Sequence, residues 1–113
     1  MRQFIVADIA QDPLPKCDVV FCRDCLVHLS FADALSVLRN FRASGGTWLV
    51  TTTFSEHQRN RDITTGTWRK LNLCRPPFSF PVPYRLLREN CTEGKGAAKD
   101  KSLGIWKLAE IGV

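Results

Sequence analysis

A capped amphipathic helix stands between two short apolar, β-prone runs, and this order restricts the chain more than any other feature. Ser30 supplies an N-cap oxygen, and Asp33, three residues on, places negative charge in the first turn. Phe31, Ala34, Leu35, Leu38 and Phe41 recur at helical spacing with Val37 alongside, while Asp33, Ser36, Arg39 and Asn40 take the other face. Arg39 and Arg42 suit the negative end of the helix dipole, and Gly45-Gly46 supplies a left-handed stop. Before the helix, residues 18–23 hold Val19-Val20-Phe21-Cys22, a continuous apolar run typical of a strand covered on both faces. After it, residues 47–54 are β-branched and aromatic, and read as another strand. A strand, a helix and a strand form the crossover that parallel neighbours require.

The remaining segments extend this unit in both directions. Residues 3–9 read as a short buried strand ending in a carboxylate, and Asp12-Pro13-Leu14-Pro15 then breaks regular structure. About nine residues join that strand to the next, too few for a helical return, so the two are not expected to pair. Residues 55–83 form a long irregular stretch with Gly66 and prolines at 76, 77, 81 and 83. A connection of this length is usually a functional loop or lid, and its alternative is an arm ordered by a partner. Residues 84–91 and 102–111 read as two strands of an antiparallel hairpin, joined by the Gly-, Ala- and Lys-rich loop 92–101. The expected architecture is one α/β domain over residues 1–113, with a mostly parallel sheet and an antiparallel C-terminal hairpin.

Composition narrows the function classes. The 113 residues suffice for one modest core, and the apolar runs fall far short of the ~18 residues a membrane span needs. Met1-Arg2-Gln3-Phe4-Ile5-Val6 meets a carboxylate at Asp8, unlike a signal peptide, so a cytoplasmic location is expected. The five cysteines are an odd number at uneven spacing, which favours reduced thiols over a disulfide scaffold. Cys22-Arg23-Asp24-Cys25 has the spacing of a metal or redox pair, and Cys17 and His28 would complete four candidate zinc ligands. Cys22 falls in or at the end of a buried strand and no second Cys-x-x-Cys exists, so buried thiols and no metal are expected. The net charge of +5 comes from the second half of the chain. Its charges are scattered, so a solvated basic surface is expected ahead of a nucleic-acid patch.

Phe4-Ile5-Val6-Ala7-Asp8-Ile9 with Asp12-Pro13-Leu14-Pro15 resembles the third strand of class I S-adenosylmethionine-dependent methyltransferases and the turn after it. Asp18-Val19-Val20-Phe21-Cys22-Arg23-Asp24-Cys25-Leu26-Val27-His28-Leu29 resembles their fourth strand and its loop. The capped helix, the 47–54 strand and the hairpin continue the same order, ending in the family's antiparallel seventh strand. The resemblance spans nearly the whole chain and implies a truncated Rossmann-like methyltransferase fold. It implies that the Asp8 carboxylate accepts from the adenine amino group while the Ile9 backbone serves the ring edge. Cys22 and Arg23 would line the methionine side of S-adenosylmethionine and the substrate entrance. His28 is the candidate base, with Asp24 beside it, where an acceptor requires one. The loop would overhang the pocket, making Asn60, Arg61, Trp68 and Arg69 candidates for binding the methyl acceptor; nucleic acid is the lesser reading for these side chains.

The family's first strand, its glycine-rich turn and the acidic residue of its second strand would precede Phe4. Gly45-Gly46 and Gly94-Lys95-Gly96 do not replace them. Cofactor binding is therefore expected to be weak, and methylation weak or absent in the chain alone. The alternatives are a non-catalytic binding module that keeps the fold, and a methyltransferase half completed by oligomerisation. In the family's sheet the fourth strand lies beside the first, so the strand at residues 18–23 is expected to form an exposed apolar edge. Such an edge recruits another chain, and a homo-oligomer is expected, with exchange of the amino-terminal strand as one form of it.

Overall fold

The computed structural model describes residues 4–89 and 99–113. They form a small α/β domain with a mixed four-stranded sheet in the order β1-β2-β4-β3. The strands are β1 (Val19–Cys22), β2 (Trp48–Phe54), β3 (Arg85–Arg88) and β4 (Lys101–Lys107), and helix α1 (Phe31–Ala43) joins the first two. β1 pairs parallel to β2, Val19 facing Trp48 and Cys22 facing Thr51, as the crossover requires. β4 is antiparallel to both β2 and β3. The expectation of a mostly parallel sheet is thus corrected: one of the three pairs is parallel. The hairpin order forces β4 to run against β3, and β4 then enters between β3 and β2, making two antiparallel ladders instead of one.

Three other expectations change in detail. Residues 4–7 are irregular, not a strand, with Phe4 88% and Val6 105% exposed. The chain then turns at Asp8, where the Asp12 amide donates to the Asp8 carbonyl (2.8 Å) and the Ala10 amide to the Asp8 carboxylate (2.9 Å). Among the described residues no strand lies beside this segment to complete a ladder. Asn40 of α1 anchors it instead, donating to the Ile9 and Asp12 carbonyls at 2.9 and 2.8 Å. β1 was expected to be covered on both faces, yet Val19 and Phe21 remain 49% and 62% exposed. That face is only partly covered by the described residues, because α1 packs on the other one. The last strand ends at Lys107, and the chain continues as a 3-10 turn over Leu108–Glu110. Cys91, Gly94-Lys95-Gly96 and most of the hairpin loop lie outside the described residues.

The helix forms as its sequence dictates. Ser30 Oγ accepts from the Asp33 amide at 3.1 Å, and Gly45 adopts φ +79° at the stop. Ala34, Val37, Leu38 and Phe41 are buried. They belong to one core with Leu49 of β2, Trp106 of β4 and Leu108. Trp106 stands over Gly104, two residues earlier on the same face, where a Cβ would fall inside the indole ring. The ring is fully buried and its Nε1 donates to the Pro81 carbonyl at 2.7 Å, so it has nowhere to move.

The long connection of residues 55–83 is part of the core. Leu71, Leu73, Phe78 and Phe80 are buried within it. Arg69, 1% exposed, clasps it to the 3-10 turn Leu26–His28 that follows β1. Its guanidinium donates to the carbonyls of Leu26 (3.0 Å), Leu29 (2.7 Å) and Arg61 (3.0 Å), and it lies 5.4 Å from the centre of the Phe31 ring. The same connection caps α1 from outside: Thr65 Oγ1 accepts from the Ser30 amide (2.9 Å) and Asp62 from the Phe31 amide (2.8 Å).

Replacing Arg69 with Met leaves buried carbonyls without donors and should cost about 3 kcal/mol in urea unfolding, whereas Arg61→Ala, on the exposed side, should stay within about 0.5 kcal/mol. Equal losses in the two variants would show that the clasp is dispensable. Gly104→Ala should destabilise by about 2 kcal/mol through overpacking against Trp106, and Gly104→Ala with Trp106→Leu should recover part of that loss. Unchanged thermal unfolding of the single variant would contradict the close packing at this site.

Candidate functional site

A groove of about 420 Å³ runs beside β1, walled by Ile9 and Leu14 on one side and by Val20, Cys22 and Arg23 on the other. A second hollow of about 280 Å³, bordered by Asp8, Asp33 and Val37, adjoins it, since Ile9 and Cys25 line both. Of the residues assigned by resemblance to a cofactor, Ile9, Cys22 and Arg23 line the groove, and Asp8 lies in the adjoining hollow, which shares Ile9 with it. The turn at Asp8, pinned by Asn40, carries the first two to it. The carboxyl end of β1 carries the others. Ligands of open α/β sheets lie beyond this end of the strands.

The end of β1 is held by charge as well as by pairing. Arg23 Nε donates to Glu89 at 2.7 Å, and Lys101 Nζ lies 2.7 Å from Asp24 and 3.6 Å from the second Glu89 oxygen. The Glu89 and Lys101 side chains are largely buried, at 13% and 16% exposure. Asp24 itself takes φ +54°, a left-handed conformation that Asp tolerates better than most residues, and its amide donates to Thr52 Oγ1 at 2.8 Å. The two candidate bases accordingly have different surroundings. Asp24 is engaged with Lys101, whereas His28 is exposed and donates through Nδ1 to the Thr67 carbonyl at 2.9 Å. With Nδ1 carrying the hydrogen, the neutral ring presents Nε2 as its acceptor.

The expected acceptor-binding residues divide in two. Arg61 and Trp68 reach solvent, Trp68 meeting Phe54 edge-on at 6.1 Å. Asn60 and Arg69 are instead spent on the protein itself. Asn60 donates to the Asn72 carbonyl (2.8 Å) and accepts from its amide (2.8 Å), and every Arg69 nitrogen is committed as described above. The reason is burial: a planar cation inside the core, 1% exposed, turns its donors to carbonyls of the chain and does not face a ligand in solvent.

Cys25 is the residue at this site whose part was not foreseen. It lines the groove together with Cys22, and the two thiols are pushed apart in acidity. The neighbouring Cys25 thiol, with burial, pushes Cys22 far up; the neighbouring Cys22 thiol, helped by His28, brings Cys25 down to about 7 despite its own partial burial. The Cys-x-x-Cys spacing was the signal, and only the fold shows that both side chains line one groove. Among the described residues no three His, Cys, Asp or Glu side chains converge as a metal site would require. No helix among them is long and apolar enough to cross a membrane. Comparison of the chain with protein-family models, with curated proteins and with solved structures finds no match.

Proposed function

We propose that the chain is a methyltransferase-like domain that receives the adenosyl end of S-adenosylmethionine in the groove beside β1. The observation that supports this is that Ile9, Cys22 and Arg23 line one groove at the carboxyl end of a parallel strand, with Asp8 in the adjoining hollow. The apolar walls suit a purine face, and the turn at Asp8 offers backbone groups at the groove's rim. Bound there, the cofactor would supply a methyl group activated by its sulfonium; the chain's task is to orient it and the acceptor. His28 Nε2, facing solvent, is the group available to take a proton from an acceptor that must lose one. Among the described residues no glycine lines the groove, so few backbone amides can approach the cofactor's polar groups, and affinity stays low.

The reading includes assembly. Among the described residues β1 has a strand on one side only, and its exposed face carries Val19 and Phe21. Unpaired backbone groups beside apolar side chains form an edge that a second copy can extend, and a two-fold dimer closes such a contact on itself. The exposed Phe4-Ile5-Val6 segment is available for exchange across it.

Titration with S-adenosylmethionine and with S-adenosylhomocysteine, followed by amide chemical shifts, should move Ile9, Cys22 and Arg23 with a dissociation constant weaker than roughly 1 mM, about 4 kcal/mol. Micromolar affinity would mean that another element replaces the glycine-rich turn. Shifts elsewhere, or none, would remove the cofactor and leave an interaction module. In sedimentation over a wide concentration range the parent should dimerise and Phe21→Lys should not, while Arg39→Gln on the exposed face of α1 behaves as the parent. A folded monomer at every concentration would sink the edge contact.

A further inference from the structure

Two arginines of the long connection line a hollow of about 290 Å³: Arg59 and Arg75, with Gln58, Asn60 and Pro76. A second hollow, of about 340 Å³, adjoins it through Arg75. Thr53 and Ser55, at and just past the carboxyl end of β2, line that second hollow, and Pro83, Leu86 and Trp106 give it an apolar wall. Neither hollow shares a lining residue with the groove beside β1, and Leu86 belongs to β3, the other edge of the sheet. We propose that the two hollows form one site for small phosphorylated organic molecules, Arg59 and Arg75 taking the phosphate and the Leu86 wall taking the organic part. This stands whether or not the groove takes S-adenosylmethionine, because no residue is common to the two sites.

Charge selects the ligand. Among the described residues no Asp or Glu lines either hollow, and the ion pairs are made by Arg23, Lys70, Arg88 and Lys101, not by Arg59 or Arg75. Two positive charges on one small hollow, with no carboxylate beside them, draw in anions. Arg75 is the better held of the two. Its carbonyl accepts from the amides of Phe78 (3.1 Å) and Ser79 (3.0 Å) and from Asn60 Nδ2 (3.4 Å), and Phe78 is buried, so the backbone beneath the guanidinium is fixed. Arg75 Nη2 donates to Gln58 Oε1 at 2.8 Å, and among the described residues its remaining donors meet no acceptor of the chain. In this it differs from Arg69, whose donors are turned to buried carbonyls. Arg59 is exposed and makes no hydrogen bond among the described residues, so ordering it on a ligand costs side-chain entropy and keeps affinity modest. A carboxylate fills one guanidinium fork, whereas a phosphate monoester, with three acceptor oxygens and about two charges, serves both. The organic part then extends past Arg75 into the second hollow, where Leu86, 37% exposed, offers apolar surface with Pro83 and Trp106.

The test follows amide and indole shifts of the full chain in low salt as phenyl phosphate, inorganic phosphate and benzyl alcohol are added in turn. Phenyl phosphate should saturate with a dissociation constant of about 1 mM, moving the Arg59, Asn60 and Arg75 amides together with Leu86 and the Trp106 indole. Inorganic phosphate should move the first three alone and bind roughly fivefold more weakly, for want of the apolar contact, and benzyl alcohol should not bind. Arg59→Gln and Arg75→Gln should each weaken phenyl phosphate about fivefold. Arg61→Gln, the same charge change in the same connection but off both hollows, should leave it unchanged. Equal weakening by all three variants would reduce the effect to general surface charge and overturn the proposal. So would the absence of saturation, or equal affinity for the two phosphates. A single-stranded oligonucleotide bound more tightly than phenyl phosphate, and lost in the Arg59 and Arg75 variants, would assign the two arginines to nucleic acid and overturn it as well. The three probes on the parent decide the matter if a variant does not fold.

Discussion

The Arg69 guanidinium, shut inside the domain, is the interaction on which the site depends. A cation in that position must meet acceptors in the directions its planar donors dictate. The carbonyls of Leu26, Leu29 and Arg61 provide them, and the Phe31 ring covers its face. One side chain thereby joins the turn after β1, the start of α1 and the long connection of residues 55–83. Cys25 stands beside that turn, so its orientation toward the groove follows from the clasp. The connection can then contribute Leu71, Leu73, Phe78 and Phe80 to a core that one helix and four short strands would otherwise leave thin.

The domain is one-sided. Ladder partners share a face, so the register places Val19, Phe21, Trp48, Val50, Ile105 and Leu87 on the side opposite α1. At the Phe54 end of that side, Trp68 and Lys70 stand over the Phe54 ring, and the ion pairs among Asp24, Glu89 and Lys101 close the neighbouring surface. The rest is partly open, with Val19, Phe21 and Leu87 well exposed. A contiguous apolar sheet face next to an open strand edge is the surface a second chain would cover, and both features meet at β1.

Charge and strain hold the carboxyl end of β1. Isolated surface ion pairs contribute little, but Glu89 and Lys101 are mostly buried and act together with Arg23 and Asp24, tying β1 across the sheet to the β3–β4 side. Asp24 must adopt a left-handed backbone for this, and Thr52 Oγ1 secures its amide. The same bend returns the chain toward β1 and brings Cys25 to the groove that Cys22 lines. Groove wall and ion-pair network are therefore consequences of one turn.

Local patterns in the sequence were sufficient for α1 with its Ser30 cap and Gly45 stop, for the parallel partnership of β1 and β2 across it, and for an antiparallel final hairpin. Each depends on residues a few positions apart, where capping, periodicity and turn chemistry act. Residues 3–9 were read as a strand because apolar β-prone composition is common to strands and to exposed segments without a neighbour; only the absence of a partner beside residues 4–7 distinguishes them. The insertion of β4 between β2 and β3 is a choice among edges that no local pattern records. Asn60 and Arg69 show the same limit. Their chemistry suits ligand binding and internal clasping equally, and burial among distant carbonyls settled which they do. Cys22 and Cys25 carried the spacing of a reactive pair, but whether both reach one groove depended on a turn held by Thr52 and Lys101, residues far along the chain. The sequence thus determined what could form within a dozen residues, and the tertiary structure decided everything that required two distant segments to share one desolvated space.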